Sequence, residues 1–122
     1  MAGIRSFDYY MQRFLLGLSY TKNIQYDDRE SVNRNNRGVV MYRKAATSIG
    51  KYYPDRIGEF ASLLNHEDRD TRIACAVCIG ELMNADSETR NRALRIIREV
   101  AQNGNPIERF GFGVWLNRHG GE

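Results

Sequence analysis

The chain has 122 residues, 42% of them apolar and 27% charged, with two prolines and two cysteines. That composition predicts one globular domain with its own core and excludes a disordered, collagen-like or disulfide-stapled chain. The longest uncharged apolar run, residues 73–80, falls far short of the ~20 residues that cross a bilayer. The start, MAGIRSFDYYMQR, has no apolar signal segment, so the expected compartment is the cytoplasm, with no membrane involved.

The net charge of +3 is unevenly placed. Residues 29–51 carry Arg29, Arg34, Arg37, Arg43, Lys44 and Lys51 against Glu30 alone, a local +5. Most of the basic residues are arginine, whose fork suits carboxylates, phosphates and protein interfaces. Such a stripe points to an acidic partner surface or a nucleic acid, and it equally suits a solvated helix face.

The apolar periodicity predicts helices from end to end. Ser6 caps the first, with Asp8 in its first turn and Phe7, Tyr10, Met11, Phe14, Leu15 and Leu18 on its apolar face. Asp27 and Glu30 read as a capping box for a long second helix whose apolar positions are Val39, Val40, Tyr42, Ala45, Ala46 and Ile49. Gly50 and Pro54 bracket its end, and Pro54 opens a third helix with Ile57, Phe60, Ala61, Leu63 and Leu64 inward. After the polar turn NHEDRD, a fourth helix runs from Thr71 to Met83, apolar on every side through IACAVCIG and therefore internal. Asp86 or Ser87 caps the fifth, with Ala93, Leu94, Ile97, Val100 and Ala101 inward. Asn105, Pro106 and Glu108 open the sixth. Its Phe110, Phe112, Val114 and Leu116 alternate with Gly111, Gly113 and Trp115 at a strand period, but the cap favours a helix.

An internal repeat supports that choice. Residues 63–80 shifted by 37 lie over residues 100–117, so that Arg72 falls on Arg109, Ala74 on Gly111, Ala76 on Gly113 and Ile79 on Leu116. Residues 42–50 shifted by 30 lie over residues 72–80, matching Ala46 to Ala76 and Gly50 to Gly80. Periods of this size, each a helix-turn-helix, are those of α-solenoids. The aligned small residues, Gly111 and Gly113 included, are expected where helices pack closely. The expected architecture is all-α, about six helices stacked as hairpins: basic N-terminal helices over residues 1–53, then repeat-like hairpins over 54–84 and 86–118 of a single domain.

LLNHEDRDTRIACAVCIGEL resembles the core of a HEAT repeat, through Leu63, Leu64, Asp68, Arg72, Ala74, Ala76, Ile79, Gly80 and Leu82. His66 stands where the repeat has its usual turn aspartate, with Asp68 two residues on. The span of residues 42–117, with its FGFGVWLNRHG ending, also resembles a small bacterial HEAT-like family of unknown function whose members are often encoded beside polymorphic toxins. That resemblance implies an immunity protein, a small partner that binds and neutralises a toxin.

The residues offer little for catalysis. Cys75-Ala76-Val77-Cys78 has redox spacing, but Cys75 sits inside an apolar helix rather than at its start, and zinc would need further ligands. His66 stands beside Glu67, Asp68 and Asp70 in a turn where acids suit the following helix start, and His119 lies near the chain's end. There is no phosphate loop or nucleophile elbow, and the Gly111–Gly113 pair lacks the rest of a dinucleotide fingerprint. A non-enzyme without metal or cofactor is expected. Tyrosines are more telling: Tyr9, Tyr20, Tyr26, Tyr42, Tyr52 and Tyr53 share the N-terminal half with the arginine stripe. Tyrosine with arginine is the composition of interface anchors, and it also suits stacking on unpaired bases. The candidate partner-binding residues are Tyr26, Arg34, Arg37, Tyr42, Arg43 and Tyr52. The expected function is protein binding, with a toxin domain as partner; the alternatives are a nucleic-acid-binding module using residues 29–51 and a structural adaptor.

Overall fold

The computed structural model describes residues 3–120, which form helices and turns with no strand among them. The helices are α1 (Phe7–Ser19), α2 (Arg29–Tyr52), α3 (Ile57–Phe60), α4 (Arg69–Leu82), α5 (Ser87–Asn103) and α6 (Pro106–His119). Two compact units divide the chain, one up to Arg56 and one from Ile57.

Side-chain caps set most helix starts. Ser6 Oγ accepts from the Tyr9 amide at 3.0 Å, Asp68 Oδ2 from Thr71 at 3.0 Å, and Asp86 Oδ1 from Thr89 at 2.7 Å. Each satisfies an amide that the helix itself leaves unpaired. Asn105 and Glu108 close a reciprocal box, Glu108 N to Asn105 Oδ1 at 2.8 Å and Asn105 N to Glu108 Oε1 at 3.0 Å. This box starts the helix that strand-like alternation left ambiguous, and α6 runs unbroken through Gly111 and Gly113.

In the N-terminal unit, α1 and α2 pack along their lengths. Phe7, Phe14 and Leu18 of α1 meet the buried line Ala45, Ala46 and Ile49 of α2. Where the helices cross, glycine faces glycine: a Cβ on Gly17 would lie 2.7 Å from the Gly38 carbonyl oxygen and 2.8 Å from the Tyr42 amide nitrogen. Neither backbone atom can rotate away, so the crossing requires both residues to lack a side chain. Asn23, in the connection, adopts a left-handed conformation at φ 56°, which asparagine tolerates better than most residues.

In the C-terminal unit, α4, α5 and α6 run up, down and up. Arg69 at the start of α4 forks onto Glu108 at the start of α6, both bonds 3.0 Å. At the other end the Arg90 guanidinium of α5 donates to the carbonyls of Gly80 and His119, the last turns of α4 and α6. Ala74, Cys75, Ala76, Cys78 and Ile79 are buried against Ala93, Leu94, Ile97 and Val100 and the segment Ile57, Phe60, Ala61, Leu63 and Leu64. Gly80 makes room for an aromatic ring: a Cβ there would lie 2.5 Å from Trp115.

Several sequence expectations need correction. The cap of α2 is Asp28, whose carboxylate accepts from Glu30 N at 3.1 Å, rather than Asp27. The third helix is one α turn between the 3-10 turns Pro54–Arg56 and Ala61–Asn65. The fourth starts earlier, at Arg69, because Asp68 caps it. Val40 is 58% exposed, nine residues and so about two and a half turns from Ile49, on the opposite face of α2. Leu15 is exposed and Ala101 only half-buried. Gly111 and Gly113 are not close-packing positions, since a Cβ on either meets nothing within 4 Å. Position within the repeat did not decide which face of α6 turns inward.

Two outcomes follow for stability. At dilute protein, Gly111→Ala should raise stability by up to about 1 kcal/mol, because the methyl group improves helix propensity and meets no neighbour. Gly17→Ala should lower it by roughly 1–3 kcal/mol through overpacking against backbone. Urea midpoints moving in the same direction would contradict this account. Separately, the Arg69 fork and then the Asn105 amide hold the Glu108 carboxyl below its usual range. A carboxylate lowered on folding adds stability above its unfolded pKa of about 4.3 and loses it as pH falls through the folded value. Both partners are partly exposed, so the amount is small. Glu108→Gln should therefore destabilise at neutral pH and show a shallower loss between pH 5 and acid, checked by denaturation at several pH values.

Candidate functional site

Beside the glycine crossing, α1 and α2 leave an open groove. One recess of about 240 Å³ is lined by Tyr9, Tyr10, Arg13, Met41, Lys44, Ala45 and Ser48. A neighbouring one of about 400 Å³ is lined by Arg13, Asn36, Arg37, Val40, Met41 and Lys44. They share Arg13, Met41 and Lys44, so they form one continuous site.

Helix geometry assembles it. Arg37, Val40, Met41, Lys44 and Ser48 recur every three or four residues and make one stripe of α2. Arg13 comes across from α1, one turn beyond Tyr9 and Tyr10. Three cations thus surround an apolar floor of Val40 and Met41, and no Asp or Glu lines either recess. Uncompensated like charges persist there because water screens them, and an incoming anion relieves their repulsion.

At one end of the groove the tyrosines pack on each other. Tyr9 meets Tyr10 edge-on at 5.5 Å, and Tyr10 stacks on Tyr52 at 6.5 Å with an interplanar angle of 22°. Arg5 lies over the Tyr9 ring at 4.7 Å and Lys51 over Tyr52 at 5.2 Å. The extended segment before α1 is pinned here too: Arg5 N donates to Tyr10 Oη at 3.1 Å, and Tyr53 Oη donates to the Arg5 carbonyl at 2.6 Å.

The six residues nominated from sequence do not converge. Arg37 lines the groove, and Tyr52 supports its tyrosine end. Tyr42 is half-buried, edge-on to Phe14 at 5.5 Å, and belongs to the α1–α2 packing. Arg43 is six residues from Arg37, which places it roughly 120° away around α2. Arg34 donates to the Lys22 carbonyl at 3.3 Å and lines a different recess, with Asp28 and Glu30. Tyr26 stands in the α1–α2 connection, 83% exposed. Sequence reasoning left Arg13, Tyr10 and Met41 out of the site, while it counted Lys44 in the basic stripe and Tyr9 among the interface tyrosines. The signal for Arg13 was its position as the one basic residue of α1, a turn past two tyrosines.

Elsewhere the reactive side chains hold the structure together. Cys75 and Cys78 are buried, and Cys75 Sγ donates to the Phe60 carbonyl at 3.5 Å. Burial, and then the neighbouring Cys78, pushes the Cys75 thiol far above its ordinary value, which removes the reactive thiolate. His66 Nδ1 accepts from the Asp68 amide at 3.0 Å, and the His66 and Glu67 carbonyls accept from Arg72 at 2.8 and 3.0 Å. His119 ends α6, its ring 4.8 Å from Trp115, whose Nε1 donates to Glu81 at 2.6 Å. No group of three or more His, Cys, Asp or Glu among the described residues is placed to hold a metal, and no described helix is long and apolar enough to cross a membrane.

Because both thiols are inside the core, their alkylation should follow global unfolding. Labelling in native buffer should be negligible over the time that labels the denatured chain fully. Rapid native labelling of Cys75 would show that the core around α4 opens locally.

Comparison with protein-family models, with curated proteins and with solved structures gives no match to this chain.

Proposed function

We propose that this chain is a non-enzymatic protein-binding module that grips an acidic partner segment in the α1–α2 groove. The observation that carries this reading is the convergence of Arg13, Arg37 and Lys44 around an apolar floor with no carboxylate among the lining residues. A partner carboxylate can take an arginine fork while an adjacent apolar side chain settles on Val40 and Met41. Interfaces gain most from that combination of a desolvated anchor and a charged rim.

The tyrosines favour a protein over single-stranded nucleic acid. Bases stack on open ring faces, but here Tyr10 and Tyr52 stack on each other, and Arg5 and Lys51 cover faces of Tyr9 and Tyr52. The cations also cluster around one spot, whereas a bound strand needs them spaced along its phosphates.

The resemblance to the HEAT-like family sharpens this reading. We take α4, α5 and α6 as part of a short HEAT-like stack, and the partner as a toxin domain neutralised by a cytoplasmic immunity protein. Immunity demands little free toxin, so affinity should be nanomolar or better, on the order of −12 kcal/mol.

Growth protection tests it. The gene beside this chain's should encode a toxin domain, and cells expressing that domain should survive only when the chain is present. The triple variant Arg13→Glu, Arg37→Glu, Lys44→Glu should abolish protection while helicity by circular dichroism stays unchanged. Full protection by that variant would remove the groove from the interface, and no protection by the wild type would remove the immunity reading. Retention on oligonucleotides, with log affinity falling linearly with log salt, would assign the groove to nucleic acid instead.

A further inference from the structure

The outward face of α6 is apolar. Ile107 is 84% exposed, Phe110 77% and Val114 39%, and these positions follow one another at helical spacing. Gly111 lies among them, and a Cβ there would meet nothing within 4 Å. Pro106 and Asn117 complete the face, and the exposed charges next to it are Arg109 at its side and Arg118 at its far end. The inward face holds Glu108, Trp115 and Leu116, through which α6 joins α4 and closes its own C-terminus.

A helix at the edge of a packed stack ordinarily turns polar residues to water. A glycine in mid-helix is also unfavourable unless a backbone approaches it closely. Among the described residues nothing comes within 4 Å of a Cβ built on Gly111. At the other helix crossing, that of α1 and α2, the same device has a visible purpose: Gly17 and Gly38 let two backbones meet.

We propose that α6 is a homotypic interface, on which a second copy of this chain packs its own α6 about a two-fold axis close to Gly111. The face is self-complementary. Phe110 projects beside the notch left by Gly111, so a two-fold places each Phe110 over the partner's Gly111, the reciprocal pairing an isologous contact requires. Arg109 and Arg118 stand at the side and end of the face, so its centre at Ile107, Phe110 and Val114 brings no like charges together, whereas the cationic groove of the N-terminal unit would. Full burial of two such faces would cover on the order of 1,000 Å² together, the threshold for a specific interface, so the dimer is a weak one.

The test is mass against concentration, by sedimentation or light scattering of the full chain under reducing conditions. The wild type should pass from monomer to dimer through the micromolar range. Phe110→Glu should weaken dimerisation at least tenfold with helicity unchanged, because its side chain faces solvent in the monomer. Gly111→Ala separates the interface from the fold: it should weaken the dimer while raising the thermal midpoint of the dilute monomer. A single monomer mass up to about 1 mM, three orders weaker than a micromolar dimer, overturns the proposal. So does a dimer that Phe110→Glu and Gly111→Ala leave equally stable.

Discussion

The approach of α1 to α2 at Gly17 and Gly38 is the contact on which the N-terminal unit depends. With a Cβ at either position the helices would have to separate, because the opposing atoms are backbone. At the observed separation Phe14 reaches Tyr42, Ala45 and Ala46 suffice as the facing surface, and Arg13 stands across from Lys44. The groove is therefore a consequence of close packing. Small residues on the crossing line draw the backbones together, and the longer side chains beside that line are left to form walls around a floor.

The C-terminal unit solves its packing differently. Its core is alanine, cysteine and branched aliphatic residues, and its helix ends are joined by polar ties. Arg69 with Glu108 aligns the starts of α4 and α6, and Arg90 gathers the ends of the same two helices. Carbonyls at helix C-termini lack intrahelical partners, so one guanidinium meets two such needs together. Trp115 is half-buried because Gly80 leaves space for its ring, and Glu81 accepts its N–H. Glu108 and Trp115 thus tie α6 inward, which makes the apolar residues on its outward face stand out.

Helix starts were legible from sequence because capping is local. Ser6, Asp86 and Asn105 each act on an amide three residues away, and such short-range chemistry does not wait for the fold. One exception, Asp28 in place of Asp27, is a choice between adjacent carboxylates that either could satisfy; the other is α4, which Asp68 starts two residues before Thr71. Buried positions of α3 and α5 were legible for a related reason, since a strongly amphipathic segment has one face that can go inward.

What sequence could not supply was which side chains meet across helices. The basic run of residues 29–51 looked like one stripe, yet a turn of 100° per residue sends Arg43 away from Arg37, and Arg34, a turn nearer the start of α2, reaches the Lys22 carbonyl and lines another recess. Arg13 joined the site from a helix whose own pattern suggested only a core face. Gly111 and Gly113 aligned with buried alanines in the repeat, but α6 turns them to open space, while Gly17, Gly38 and Gly80 carry the close contacts. The chain by itself determined that it is helical, where most helices begin and many of the buried positions, because these follow from neighbours along the backbone. The tertiary structure decided which glycines touch, which cations converge and which apolar face stays uncovered, because those depend on the rotation of each helix against the next.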